Sequence, residues 1–289
     1  KYGQNNIFYL SAHKNHFNNA LQDYNIKIND LKTEISYFGF RLWHFLSSKR
    51  KLLSKNSIEK FDLIIDLQSK LRNTLILKQI PNRHFYSSTL NFKFCSTHKD
   101  YISTKYDNNN IILNLEKLLN DKIVFRKYDT NLIDSKYFTE AKRLLPDSNY
   151  IGFSITQGNA YRKKSWPIEK FLSVANKILK QNKIPVFFIE RNNIDLINKI
   201  KNEIQNVLIP ELDSNLSGPP LVTALSKRLE KAISIDNGIM HMIGLANIPM
   251  TVLFGPTNSK KFSPKIKNIN ILDSKIPVSY THLTLPTIV

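Results

Sequence analysis

The sequence is poor in cysteine, glycine and acidic residues, and it lacks long apolar runs. A single cysteine, Cys95, cannot form an internal disulfide, which suits a reducing compartment. No uninterrupted apolar stretch reaches the about 18 residues that a membrane-spanning helix needs. The eight glycines form neither a Walker loop nor the Gly-x-Gly-x-x-Gly signature of dehydrogenases, so the sequence argues against these two nucleotide-binding classes.

Basic residues outnumber acidic ones by 42 to 23, which gives a formal net charge of +19. Either an AT-rich gene or attraction to an anionic partner explains this excess. The basic residues are spread along the chain without a stripe or a zinc-finger, homeodomain or RRM signature, so we do not expect nucleic acid as a partner.

Strand-like apolar runs alternate with helical patterns, which predicts βαβ units and parallel sheets. Phe61–Asp66 predicts a buried strand, Ser69–Leu77 the helix behind it, and Pro167 opens a helix with one apolar face. The turn-rich sequence at Leu145–Ser148 predicts a boundary between domains at residues 1–146 and 147–276. Further predicted elements are strands at Ile7–Leu10, Ile151–Ile155, Ile184–Ile189, Ala232–Ile235 and Met250–Phe254, and helices at Ile111–Leu119, Leu196–Ile204 and Leu221–Leu229.

Asp236–Thr257, DNGIMHMIGLANIPMTVLFGPT, begins where a predicted strand ends, and open α/β sheets bind ligands at such ends. Gly238 lets the backbone approach a ligand, and His241 falls in the first turn of a helix whose free N–H groups favour phosphate. Asp236 suits sugar hydroxyls rather than phosphate. The stretch predicts a site for a nucleotide that carries a sugar; an ordinary turn with a helix-terminal histidine is the alternative.

Thr156–Pro167, TQGNAYRKKSWP, joins a predicted strand end to a helix start and contains one glycine and three cationic side chains. Such a loop is suited to holding a diphosphate. The alternative is an ordinary solvated basic surface.

These two segments, together with Phe61–Ile76 (FDLIIDLQSKLRNTLI), resemble the ADP-heptose:lipopolysaccharide heptosyltransferase family, glycosyltransferase family 9. That family carries a Lys-x-Trp-Pro segment, an Asp-(Ser/Thr)-Gly-x-x-His helix start, a Phe-Gly-Pro-Thr turn and an Asp-Leu-Gln-Gly…Arg segment. The resemblance extends over roughly residues 60 to 265.

The resemblance implies a GT-B fold, an α/β architecture of two Rossmann-like domains with parallel sheets facing across a cleft. It implies a bacterial, metal-independent, inverting glycosyltransferase with no cofactor. The enzyme would move a heptose-like sugar from a nucleotide diphosphate, ADP-heptose in this family, to lipopolysaccharide core or a related glycan, in the cytoplasm or at the inner face of the inner membrane. The alternatives are a GT-B transferase with another nucleotide-sugar donor, and a non-catalytic module that binds nucleotides or polyanions.

Carried over residue by residue, the resemblance implies a set of donor-binding positions: Gly158, Asn159, Lys164, Asp236, Asn237, Gly238 and His241. The acceptor-side candidates are Asp66, Gln68 and Arg72, with a structural role as the alternative for Asp66 and Gln68. Asn237 replaces the family's Ser or Thr, and Ala160 stands where a hydroxyl is common, so each could lose one phosphate hydrogen bond. Ser69 replaces a glycine.

The family's catalytic base is an aspartate in a Gly-Asp loop that would precede Lys1, so no catalytic residue is identified in this sequence. We therefore expect this chain to bind nucleotide weakly and to transfer no sugar. Residues 277–289 carry no charge and resemble translated sequencing adapter, so we expect a non-native tail.

Three further features stay outside the predicted site. His13 and His16 have ligand-like spacing but no third ligand, so we expect no metal there. Cys95 has no neighbouring base and is expected to be a buried thiol. Tyr37–Leu53 predicts an aromatic and basic helix that either packs into the first domain or faces an anionic membrane surface.

Overall fold

The computed structural model describes residues 6–10, 22–26, 29–30, 43, 46, 58–68, 70–96, 111–120, 128–156 and 166–274. The chain forms two compact units, Lys1–Asp129 and Thr130–Val289. Parallel strands underlie both units, which confirms the predicted α/β class. Residues 277–289, His13, His16 and Tyr37–Leu53, except for Trp43 and Leu46, lie outside the described residues.

In the first unit, strands β1 (Phe8–Tyr9) and β2 (Asn29–Asp30) form one parallel pair. Strands β3 (Phe61–Asp66) and β4 (Asn82–Ser87) form a second, joined by helix α1 (Leu71–Lys78). Helix α2 (Ile111–Leu119) follows. The strand and helix predicted from residues 61–77 are therefore present, although the helix begins only at Leu71.

A small buried cluster in this unit contains Tyr86, Phe92, Cys95, Leu115 and Leu118. The Cys95 thiol donates to the Ser87 carbonyl at 3.2 Å, and burial raises the pKa of the thiol. Cys95 is thus the buried thiol that the sequence predicts, because a protonated and enclosed sulfur is a poor nucleophile.

The second unit alternates strands with helices around one sheet. Its strands are β5 (Tyr150–Ser154), β6 (Ile184–Phe187), β7 (Leu229–Ile235), β8 (Met250–Phe254) and β9 (Ile269–Asp273). Its helices are α3 (Ser135–Leu144), α4 (Ile168–Leu179), α5 (Ile194–Glu203), α6 (Pro210–Asp213), α7 (Pro219–Ser226), α8 (Gly238–Ala246) and α9 (Ser259–Phe262). All neighbouring strands are parallel, in the order β6-β5-β7-β8-β9.

The predicted helix behind Pro167 forms as α4 and buries its apolar face, including Phe171 and Ala175, against the sheet core. Within that core the rings of Phe153 and Phe187 stack with centroids 4.7 Å apart. One expectation was wrong, and one strand was not predicted. The helix predicted to reach Leu229 ends at Ser226, because Leu229 already begins β7. A fifth strand, β9, follows β8; its half-polar sequence concealed it.

The division between the units also lies earlier in the chain than the predicted boundary at residue 146. Helix α3 falls in the second unit and contacts it through Arg143, whose Nη2 donates to the Asp213 carbonyl at 2.7 Å. The turn that suggested a boundary is held in place by Arg228, which donates to the carbonyls of Leu145, Pro146 and Asp147 at 2.8–3.0 Å. A turn-rich sequence is therefore a fixed part of the second unit.

Within the described residues, no helix is both long and apolar enough to cross a bilayer.

Candidate functional site

The strand order of the second unit fixes where a ligand can bind. Connections from β5 lead to β6 on one side, whereas β7 lies on its other side and continues to β8 and β9. A crevice opens at the carboxyl ends of strands wherever the winding direction reverses in this way, here between β5 and β7. Ser154 ends β5 and Ile235 ends β7, so Asp236 and Asn237 lie at this point. We call these strand ends, with the start of α8, the strand-end site.

Asn237 connects three parts of the strand-end site. Its Nδ2 donates to Ser154 Oγ at 2.7 Å and to the carbonyl of Thr156 at 2.9 Å. Its Oδ1 accepts from the N–H of Met240 at 2.9 Å, which caps the N-terminus of α8. Both amide hydrogens are therefore used within the protein. Asn237 orders the site, and its side chain has no remaining donor for a phosphate.

Asp236 is half-buried and is held by a residue that the sequence reasoning did not single out. Thr257, from the Gly-Pro-Thr turn after β8, donates its hydroxyl to Asp236 Oδ2 at 2.5 Å. A hydrogen bond to a carboxylate is stronger than one between neutral groups, so it fixes the orientation of Asp236. The Phe-Gly-Pro-Thr turn thus positions the Thr257 hydroxyl, at the end of a neighbouring strand, against the Asp236 carboxylate.

Gly238 is the first residue of α8, and neither turn geometry nor packing explains its presence. Its φ is not positive, and no described atom lies within 4 Å of a Cβ built on it. Glycine costs a helix about 0.5–1 kcal/mol relative to alanine. The open space over the first turn leaves the backbone N–H groups of α8 accessible to an anion.

His241 lies in the first turn of α8, at the surface of the second unit. The surrounding protein displaces water from the ring and lowers its pKa, while the carboxylate of Asp236 opposes this shift. A lowered pKa favours the uncharged form of the ring. It can then donate one N–H to a ligand without adding charge.

The basic loop predicted to hold the diphosphate lies outside the described residues from 157 to 165, which include Gly158, Asn159 and Lys164. Both flanks of this loop are described. Thr156 is bound by Asn237, and the Trp166 ring packs edge-on against Phe171 with centroids 4.9 Å apart. Lys170 lies 5.7 Å from the centre of the same Trp166 ring. The loop therefore starts at the strand-end site and ends on the core beside α4.

The three acceptor-side candidates in the first unit have different surroundings. Asp66 is buried, and its oxygens accept from the Gln68 N–H at 3.1 Å, Thr74 Oγ1 at 2.6 Å and Ser87 Oγ at 2.9 Å. Gln68 and Arg72 are exposed. Asp66 therefore supports the strand end from inside, whereas Gln68 and Arg72 can reach a ligand. Thr74 and Ser87 were missed because they lie 8 and 21 residues from Asp66 in the sequence.

Among the described residues, no group of three or more histidine, cysteine, aspartate or glutamate side chains is placed to hold a metal ion.

Comparison with known families and structures agrees with the resemblance seen in the sequence. A family model described as glycosyltransferase family 9 (heptosyltransferase) matches residues 49–282. No curated protein matches the chain.

Several solved structures share the fold. A glycosyl transferase family 9 protein from Veillonella parvula is 17% identical, with a TM-score of 0.61 over 93% of this chain and 77% of its own. Heptosyltransferase WaaC from E. coli, solved with ADP, is 13% identical, with a TM-score of 0.54 over 87% and 79%. A UDP-GlcNAc 2-epimerase from Methanocaldococcus jannaschii is 12% identical, with a TM-score of 0.52 over 92% and 80%. These similarities confirm the predicted GT-B class.

Proposed function

The chain belongs to glycosyltransferase family 9, and from this membership we propose that its donor and acceptor sites serve the transfer of a heptose-like sugar from a nucleotide diphosphate, ADP-heptose first of all, to lipopolysaccharide core or a related glycan. The observation that carries the donor assignment is the strand-end site. It combines a carboxylate fixed by Thr257 with an accessible helix N-terminus, at the point of the sheet where nucleotides bind in α/β folds.

Each group at the strand-end site suits one part of such a donor. The N–H groups at the start of α8, beside Gly238, suit the diphosphate, because the positive end of the helix dipole favours an anion. Asp236 suits sugar hydroxyls, which donate to a carboxylate. Lys164 would add a full positive charge at the diphosphate; it stands two residues before Trp166, whose ring packs on the core.

These groups would act mainly on the leaving group. As the acceptor hydroxyl attacks the anomeric carbon, the bond to the diphosphate breaks and negative charge grows on its oxygen. Fixed N–H groups and a lysine next to that oxygen stabilise the transition state without reorganising. The ordering role of Asn237 matters here, because electrostatic stabilisation depends on donors that are already in position.

On the acceptor side, the proposal assigns ligand contact to the exposed Gln68 and Arg72, with Asp66 as the buried residue that positions their segment. The cation of Arg72 suits an anionic glycan. A membrane-borne acceptor would place the enzyme at the cytoplasmic face of an anionic membrane, to which the net charge of +19 is complementary.

A calorimetric binding series with ADP, UDP, GDP, AMP and ADP-heptose tests this proposal. We expect ADP to bind more tightly than AMP, and Asp236→Asn to weaken ADP-heptose more than ADP, by about 1.5–3 kcal/mol for a charged hydrogen bond. Asp195→Asn, an exposed carboxylate on α5, is the control and should change neither. Equal binding of ADP and AMP, or binding that vanishes with added salt for every nucleotide alike, would contradict a donor site.

A further inference from the structure

The carboxyl ends of β3 and β4 enclose a set of buried hydroxyl groups around Asp66. Thr74 Oγ1 lies 2.6 Å from Thr89 Oγ1, and Ser87 Oγ donates to Asp66 Oδ2 at 2.9 Å. All four side chains are at least nine-tenths buried. Each of their polar atoms takes part in this network, so the floor of the strand end is fully hydrogen-bonded.

One atom beside this network is not satisfied. Asn73, in the first turn of α1, is 4% exposed, and its Nδ2 donates to Gln68 Oε1 at 2.6 Å. Its Oδ1 is buried and has no hydrogen-bond partner among the residues that the structure describes. Buried polar atoms are nearly always paired, because leaving one unpaired costs stability. No described residue supplies the donor that an acceptor at this position calls for.

The side chain of Gln68, which is hydrogen-bonded to Asn73, reaches the surface. Its side-chain amide is exposed, and no described residue accepts from its Nε2. The two amides are joined by the bond between Asn73 Nδ2 and Gln68 Oε1, which leaves an acceptor on Asn73 and a donor on Gln68. A hydroxyl group can donate to the first and accept from the second. Exposed Lys70 and Arg72 flank the pair in sequence.

We propose that Asn73 Oδ1 and Gln68 Nε2 bind one hydroxyl group of a glycan that also carries negative charge, held by Lys70 or Arg72. The inference rests on the proposed function, since it names how the acceptor is recognised. The inference adds Asn73 as a residue that determines acceptor specificity. Asn73 is not one of the motif residues, and it is buried. An ordered water is the other source of the same O–H donor, and the stability and binding tests distinguish the two.

Stability is the first test, by thermal unfolding of the full chain. Asn73→Leu removes the unpaired acceptor at nearly constant size, and with it the bond to Gln68, whose exposed amide water can then solvate, so we expect Tm to rise by about 2–4 °C. The matched control is Asn114→Leu. Asn114 is also fully buried in the first unit, but its amide donates to the Tyr86 hydroxyl at 3.3 Å, so its loss should lower Tm. A Tm for Asn73→Leu at or below that of Gln68→Ala, which breaks the same amide–amide bond, would mean that a resident water or protein partner satisfies the atom, which overturns the inference.

Binding is the second test, with deacylated lipopolysaccharide core oligosaccharide as the probe and ADP present. We expect Asn73→Leu to weaken oligosaccharide binding by about 3- to 10-fold, the value of one hydrogen bond, and to leave ADP binding unchanged. Gln68→Glu keeps the acceptor for Asn73 and removes the N–H donor at an exposed position, so it should weaken oligosaccharide binding without affecting folding. Measuring the binding of this variant at about 0.5 M salt screens the negative charge that the glutamate adds.

The two proposals fail in different ways. If the wild-type chain binds no ADP, the proposed function fails. If ADP binds but the oligosaccharide does not, or if it binds equally well to the wild type and both variants, the hydroxyl subsite fails and the donor site stands.

Discussion

Replacing Asn237 with serine tests the organisation of the strand-end site directly, because serine is the family's usual residue at this position. Serine can still cap α8 by accepting from the Met240 N–H, since both residues are good N-caps. Its shorter side chain with one hydrogen cannot maintain the bonds to both Ser154 Oγ and the Thr156 carbonyl. Ser154 is fully buried, so water cannot replace its lost partner.

The size of the effect follows from the two lost bonds. Each neutral hydrogen bond contributes about 0.5–1.5 kcal/mol, so Asn237→Ser should lower the free energy of unfolding by about 1–3 kcal/mol. The bond to Thr156 fixes the start of the loop that carries Lys164. Losing it should weaken ADP binding by about 2- to 12-fold.

Urea unfolding and ADP calorimetry measure the two effects on the same protein. Asn258→Ser is the control, because Asn258 caps α9 through a single bond from the Lys261 N–H at 3.2 Å and should lose only a few tenths of a kcal/mol. In a double-mutant cycle, Ser154→Ala and Asn237→Ser should be non-additive. Unchanged stability with tighter ADP binding would show that position 237 normally contacts phosphate, and would refute the ordering role.

Thr257→Val removes the hydroxyl that holds Asp236 and should weaken ADP-heptose binding by about 1.5–3 kcal/mol. Thr257→Ser keeps the hydroxyl and should bind ADP-heptose normally in the same calorimetric assay. Equal affinity of the two variants would contradict this role of Thr257. Gly238→Ala should raise the free energy of unfolding by up to about 1 kcal/mol while weakening ADP binding, because its Cβ enters the open space over α8. Gly244→Ala, on the same helix, should instead lower the free energy of unfolding by about 1–3 kcal/mol, because its Cβ would lie 2.7 Å from Pro264; urea unfolding that ranks the two variants the other way would be inconsistent with this packing. The hydrogen bond from Arg143 lowers the pKa of Glu140 to about 2, below the ordinary value of about 4.3. The ionised Glu140 therefore contributes its full stabilisation above about pH 4.3, and this stabilisation is lost as the pH falls towards 2. In acid unfolding, Glu140→Gln should lack this loss of stability between about pH 4.3 and pH 2. Identical acid-unfolding profiles of the variant and the wild type would exclude a stabilising role for the Glu140 carboxylate.

The sequence predicts the parts of this molecule that depend on local patterns. The alternation of strands and helices, the helix behind Pro167 and the strand end at Asp236 all follow from residue spacing and from the chemistry of helix termini. The division into compact units at residue 129 does not follow from such patterns, because the three carbonyls of the turn at Leu145–Asp147 are bound by Arg228, more than 80 residues later.

The same reason explains what sequence reasoning missed at the sites. Asn237 was expected to be a weaker phosphate ligand, but its partner Ser154 lies 83 residues earlier, at the end of another strand. Thr257 holds Asp236 across 21 residues, and the hydroxyls around Asp66 come from α1 and β4. Side-chain partners across neighbouring strand ends depend on strand order, which a single sequence does not specify.

The hydrogen bonds of helix α3 limit where the chain can be cut or joined to a relative. Glu140 Oε1 accepts from Ser214 Oγ at 2.9 Å and from the Asn215 N–H at 3.2 Å, while Arg143 binds the Asp213 carbonyl. A fragment of the second unit begun at residue 147 would leave Ser214, Asn215 and the Asp213 carbonyl without these partners, and would expose the apolar surface that packs against α3. Chimeras between relatives should therefore join at residue 130, so that α3 stays with the second unit, to which it is hydrogen-bonded.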